Sequence, residues 1–78
     1  MAKVKVYSTP TCPWCTRAKQ FFKQNNIQFD DLNVAEDRRA REEMVDKSGQ
    51  LGVPVIDING QIVVGFDVNR INAAMGAA

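Results

Sequence analysis

With 78 residues the chain falls below the usual ~100–150-residue domain, so it has length for one small core and excludes a second domain. At 45% hydrophobic and 24% charged residues, with no apolar run near the ~20 needed to cross a bilayer, it excludes disordered, low-complexity and membrane-spanning classes. The net charge of +1 is unevenly spread: residues 1–29 carry Lys3, Lys5, Arg17, Lys19 and Lys23 without an acid, and the remainder holds nine acids against five bases. A reactive group in the first third therefore lies in a positive field, while so few cations beside an acidic remainder give no footprint for nucleic acid. The chain has no histidine, which removes Ser-His and Cys-His nucleophile pairs, imidazole bases and imidazole metal ligands.

The opening Met1–Val6 alternates polar and apolar residues and lacks the continuous apolar stretch of a secretory signal, so a cytoplasmic address is expected. Residues 3–7, Lys-Val-Lys-Val-Tyr, predict a strand with one buried face, and Ser8-Thr9-Pro10-Thr11 breaks it. From Pro13, suited to a first helical position, Cys15, Ala18, Phe21 and Phe22 fall on one side of a helix that Asn25-Asn26 ends. Ile27-Gln28-Phe29 resumes alternation as a second strand running loosely through Leu32 and Val34. Asp37 is an N-cap for a helix that Gly49 stops after Ser48; its apolar side is thin, which predicts a surface helix. Residues 53–58 and 61–64 flank Asn59-Gly60, the strongest short hairpin signal. Asp67 can cap a last helix bearing Val68, Ile71 and Met75, closed by Gly76, with Gly76-Ala77-Ala78 expected to fray. The order strand-helix-strand-helix-hairpin-helix predicts an α/β fold: one mixed four-stranded sheet flanked by three helices, with a parallel first pair and an antiparallel hairpin.

Cys12-Pro13-Trp14-Cys15 spans the loop and first turn of the first helix. Two intervening residues in a helical turn bring the sulfurs within bonding reach, and this spacing beside a βαβ pattern reads as a thioredoxin-like redox motif. If Cys12 caps the helix, its sulfur faces the free N–H groups of Trp14 and Cys15 at the positive end of the helix dipole. That setting lowers a thiol from its free value of about 8.5 and makes the attacking thiolate, so Cys12 is expected as nucleophile and the more buried Cys15 as resolving thiol. A stabilising disulfide is the bland alternative, but so short a loop removes little chain entropy. Structural zinc wants four N/S ligands, and one chain offers two, leaving only a metal or cluster shared between copies.

Together with Gly52-Val53-Pro54 and Gly65-Phe66-Asp67, this motif resembles the glutaredoxins over roughly Lys3 to Met75. The resemblance implies a thioredoxin-like fold in one domain over residues 1–78, and reduction of protein disulfides and glutathione mixed disulfides through Cys12 and Cys15. It implies glutathione as co-substrate with no bound cofactor or metal, disulfide-containing client proteins as partners, and a monomer. It further implies that the peptide before Pro54 is cis, that Val53 pairs by its backbone with glutathione, that Gly65, Phe66 and Asp67 meet its γ-glutamyl end, and that Trp14 walls the site. Asp67 also has a full account as a helix cap. Two positions depart from the family: Thr9 stands where many members have a lysine, and Val64 where a first glycine of a pair is common. Arg38 or Arg39 is the candidate replacement for the missing charge. These departures keep open a related role as an electron carrier reduced by thioredoxin reductase, and a rival of another class, an iron–sulfur cluster shared by two chains.

Overall fold

The alternation at the start of the chain becomes an inner strand of the sheet. In the computed structural model, which describes residues 3–77, the elements are β1 (Val4–Ser8), α1 (Pro13–Gln24), β2 (Asp30–Asn33), α2 (Arg38–Ser48), β3 (Val55–Ile58), β4 (Gln61–Val64) and α3 (Val68–Ala77). They form one four-stranded mixed sheet in the order β2-β1-β3-β4. β1 runs parallel to β2 and antiparallel to β3, and β3 is antiparallel to β4, so that Val6 lies opposite Asp31 on one side and Ile56 on the other. This is the predicted thioredoxin-like architecture.

Strand period separates two cores. Val4, Val6, Ile56, Ile58 and Val63 bury one face against Ala18 and Phe22 of α1 and Ile71 and Ala74 of α3. Tyr7 and Val55 bury the other against Val34 and against Ala40 and Met44 of α2. At the hairpin tip Asn59 and Gly60 both take positive φ, +52° and +90°, as the Asn-Gly signal requires.

The expected second strand starts later than its pattern suggested. Asn25 closes α1 and Asn26 turns left-handed at φ +56°. The Ile27 N–H then donates to the Phe22 carbonyl at 2.8 Å, keeping the chain in the helix-terminal turn, and pairing with β1 begins only at Asp30. Ile27 and Phe29 serve instead as half-buried packing against the first core. β3 likewise begins at Val55 rather than Val53, since Pro54 has no N–H to give a ladder. Gly76 does not close the last helix: α3 runs through it to Ala77, a glycine in a terminal turn costing only ~1 kcal/mol. Gly76 and Ala77, expected to fray, are helical, and Met1, Ala2 and Ala78 lie outside the described residues.

The α2 caps are as expected. The Asp37 carboxylate accepts the Ala40 N–H at 3.1 Å, and Gly49 adopts φ +74° while its N–H reaches the Val45 carbonyl at 2.8 Å. Its sheet-facing side carries more than the thin apolar stripe. Glu43 accepts from the Tyr7 hydroxyl, from Lys47 at 3.0 Å and from Lys5 at 3.3 Å, and Lys47 also reaches Asp57 at 2.6 Å. Asp57 is 6% exposed, and its other oxygen accepts the Gly60 N–H at 2.8 Å, so one carboxylate seats both the helix and the hairpin turn.

Candidate functional site

The loop after β1 delivers Cys12 to the N-cap of α1 in extended conformation, φ −88° and ψ 114°, and Pro13 follows at the first helical position. The Cys15 N–H donates to Cys12 Sγ at 3.3 Å. On its other side Cys12 Sγ lies 3.8 Å from the Val53 carbonyl. Both sulfurs are free thiols, Cys12 half-buried and Cys15 fully buried among the core side chains.

Their environments push the two thiols apart. Burial alone would raise Cys12, but it is outweighed by hydrogen bonds from the Cys15 thiol and from the Cys15 and Trp14 N–H groups, and by the Lys19 charge, so the thiol is held below its ordinary value of 9.0. Cys15 is pushed up to about 11, first by burial and then by donating to Cys12. A pair built this way has one sulfur prone to ionise and a neighbour that keeps its proton.

Beside Cys12 lies a cavity of about 260 Å³ lined by Trp14, Val53, Pro54, Gly65 and Phe66. Five of the residues singled out from the sequence thus come together, from three separate segments. The Val53–Pro54 peptide is cis. Gly65, at φ +82°, turns the chain out of β4, and its N–H donates to the Pro54 carbonyl at 2.8 Å, tying the two walls. Trp14 is 53% exposed and carries the Arg17 guanidinium over its ring at 4.7 Å. Phe66 packs edge-on against Phe21, centroids 5.9 Å apart, linking the cavity wall to the first core. Val64 is not among the lining residues; strand alternation after buried Val63 places it on the opposite side of the sheet.

Asp67 stands at the start of α3, next to this cavity but outside its lining. One oxygen accepts the Arg70 N–H at 3.1 Å, the N-cap contact foreseen for it, and the other lies 3.7 Å from the Arg70 guanidinium. Arg38 and Arg39 do not reach the site. Arg38, its side chain 90% exposed, pairs with Glu42, and Arg39 is exposed. Arg41 was not foreseen. It joins Thr9, Leu51 and Val53 around a second cavity of about 280 Å³, which shares Val53 with the first. Its position three residues before buried Met44 borders the core stripe, and that phase was the available signal. A larger hollow of about 870 Å³ between α1 and β2 contains neither cysteine.

Among the described residues no three His, Cys, Asp or Glu side chains are grouped to hold a metal ion, and no helix is long and apolar enough to cross a membrane.

Comparison with known proteins matches residues 4–63 to the glutaredoxin family model. The chain is 55% identical over 69 residues to an uncharacterized glutaredoxin-like 8.6 kDa protein in the rubredoxin operon of Clostridium pasteurianum, covering 88% of this chain and 92% of that one. It is 39% identical over 67 residues to glutaredoxin 3 of Escherichia coli, covering 86% and 81%. Among solved structures it is similar to the glutaredoxin of Archaeoglobus fulgidus, with TM-score 0.86 and 25% identity over 96% of this chain and 87% of that one. The thioredoxin-like protein BC3987 also gives a TM-score of 0.86, with 30% identity over 92% and 99%. A paired-cysteine motif at the opening of α1, a matching family model over most of the chain and close relatives along nearly their whole length agree, and the chain belongs to the glutaredoxin family.

Proposed function

We propose that this chain is a glutathione-dependent thiol–disulfide oxidoreductase, acting as a single cytoplasmic domain over residues 1–78 and as a monomer, on protein disulfides and glutathione mixed disulfides. The observation that carries the reading is the Cys12 sulfur seated on the Cys15 N–H at the opening of α1, with Cys15 buried behind it. The Cys12 thiolate attacks one sulfur of a disulfide, forming a mixed disulfide and releasing the other sulfur as a thiolate. Cys15 then gives up its proton and attacks Cys12, expelling the second thiolate and leaving a Cys12–Cys15 disulfide. Two glutathione molecules return it to the dithiol and leave as glutathione disulfide, so two electrons pass in each half of the cycle. On a glutathione mixed disulfide a second glutathione replaces Cys15.

The two cavities that meet at Val53 support glutathione as co-substrate. Its cysteine backbone would pair with Val53, which lies outside the β3 ladder, between the Trp14 indole and Pro54. The γ-glutamyl end would reach Gly65, Phe66 and the N–H groups opening α3, with its ammonium at Asp67. The glycyl carboxylate would meet Arg41, which replaces the earlier candidates Arg38 and Arg39 and supplies the charge that Thr9 lacks.

A second reading, electrons from thioredoxin reductase, is favoured by uncharged Thr9 and by Leu51, 59% exposed, on the rim where a carboxylate would sit. A coupled assay decides between them. Turnover with glutathione and glutathione reductase is expected; turnover with thioredoxin reductase alone would overturn the glutathione assignment. Cys12→Ser should abolish turnover from either source, and retained activity in that variant would remove the mechanism. Visible absorbance after anaerobic reconstitution with iron and sulfide would instead favour the bridged cluster.

A further inference from the structure

The five cations of residues 1–29 part company once the chain is folded. Arg17 is drawn over the Trp14 ring, Lys5 goes to Glu43 on the far side of the sheet, and Lys3 and Lys23 are exposed. Lys19 is held differently. Its Nζ lies 3.1 Å from one Asp31 oxygen and 3.5 Å from Ser8 Oγ, and Ser8 Oγ donates to the other Asp31 oxygen at 2.8 Å. Ser8 is 2% exposed and ends β1 just before the loop to Cys12, and the Lys19 side chain is only 23% exposed. Lys19 follows Cys15 by four residues, on the same helix face, and a helical side chain covers the turn N-terminal to its own Cα. The ammonium is thereby fixed behind the cysteine turn, and its charge acts on both sulfurs. Charged groups on the neighbouring elements are Arg17 on α1, over the Trp14 ring, Arg41 on α2, bordering the cavity that Val53 lines, Asp31 on β2, paired with Lys19, and the Asp67–Arg70 pair at the start of α3.

We propose that Lys19 is a positioning residue for the Cys12–Cys15 pair: pinned by Ser8 and Asp31, its ammonium favours the ionised Cys12 sulfur, and Asp31 moderates that charge by pairing with it. The inference rests on the reading of Cys12 as the reacting sulfur, and it assigns a role to an ion pair that the exchange steps do not use. It carries a signature that a mere clamp between α1 and β2 lacks. Removing the cation and removing its partner must move Cys12 in opposite directions, whereas a clamp is weakened alike by either change.

The test is the pH dependence of Cys12 alkylation by iodoacetamide, with the labelled sulfur assigned by mass spectrometry. Lys19→Gln should slow alkylation at pH 6 about two- to threefold and move the profile to higher pH, the size expected of one partly screened charge that makes no direct hydrogen bond to the sulfur. Asp31→Asn should speed it by up to about twofold. Lys19→Arg should stay near the unsubstituted protein, and Lys23→Gln, the same charge change one turn further along α1, should leave the profile in place. The proposal is overturned if Lys19→Gln leaves the profile unmoved, if it and Asp31→Asn shift the same way, if Lys19→Arg falls with Lys19→Gln, or if Lys23→Gln matches it. Asp31→Asn keeps the ammonium, so it reads the pair independently should Lys19→Gln fail to fold. Alkylation needs neither glutathione nor a reductase. Loss of turnover in the coupled assay with these shifts intact would sink the proposed function and spare Lys19, and the converse result would do the reverse.

Discussion

At the scale of single residues, the two cysteines differ in ionisation because one sits at the helix opening and the other within the core. The Cys15 thiol is itself a donor to Cys12, and this sets up a separable prediction. Cys15→Ala removes the donor, so the Cys12 profile should move to higher pH and alkylation at pH 6 should slow about fivefold, the worth of one ~1 kcal/mol hydrogen bond. Cys15→Ser keeps a hydroxyl donor and should remain closer to the unsubstituted protein. It should also retain reduction of glutathione mixed disulfides while losing protein disulfides, as product analysis would show. Gly65 makes a second case. A Cβ there meets nothing within 4 Å, so Gly65→Ala should cost only the conformational penalty of an L-residue at φ +82°, about 1–2 kcal/mol, read as a lowered urea midpoint.

At the scale of elements, α2 is seated by charge as well as by apolar contact. Glu43 is held down to about 2, first by the Tyr7 hydroxyl and then by Lys47. Its folded value lies below the unfolded 4.5, so its contribution to stability is fully present above pH 4.5 and is lost as pH falls toward 2. The stability gap between the unsubstituted protein and Glu43→Gln, measured by urea unfolding, should therefore be widest above pH 5 and close toward pH 2. Lys47 moves the other way: burial opposes its charge, yet its bonds to Asp57, Tyr7 and Glu43 hold it above the ordinary lysine range.

This helix also shows what the sequence could and could not yield. Its ends were legible because Asp37 and Gly49 are local signals whose chemistry acts within one turn. Its seating was not, since Glu43 and Lys47 look like solvated charges until Tyr7 and Asp57, distant in the chain, arrive beneath them. A stripe as narrow as Ala40 and Met44 also fixes the helix rotation poorly, which is why Arg41 and not Arg38 or Arg39 borders the site. The cysteine turn and the Asn-Gly tip were readable because each depends on a backbone property of a few adjacent residues, whereas the proline and glycine walls were implied only by the resemblance to the family. The late start of β2 was not, since Ile27 and Phe29 satisfy the alternation of a strand while the end of α1 claims their backbone.

At the scale of the whole molecule, a radius of gyration of 11.3 Å leaves little apolar reserve. Phe22 contacts both neighbouring aromatic rings, Phe21 and Phe29, from the centre of the first core. Phe22→Ala should cost about 3–5 kcal/mol. Against a total stability on the order of 5 kcal/mol, that leaves about 0–2 kcal/mol, so the variant should lose most of its urea midpoint and, at the upper end of the range, stand about half unfolded at room temperature, which urea titration and far-ultraviolet circular dichroism would show.

The hydrogen bond from Gly65 to the Pro54 carbonyl has a further effect. It continues the β3–β4 pairing to the edge of the cavity beside Cys12, so the spacing between the Pro54 and Gly65 backbones is gauged by main-chain pairing, while the Trp14 and Phe66 rings complete the lining. Swapping the Trp14 or Phe66 ring should then alter what the slot grips without displacing the Pro54 and Gly65 backbones from each other.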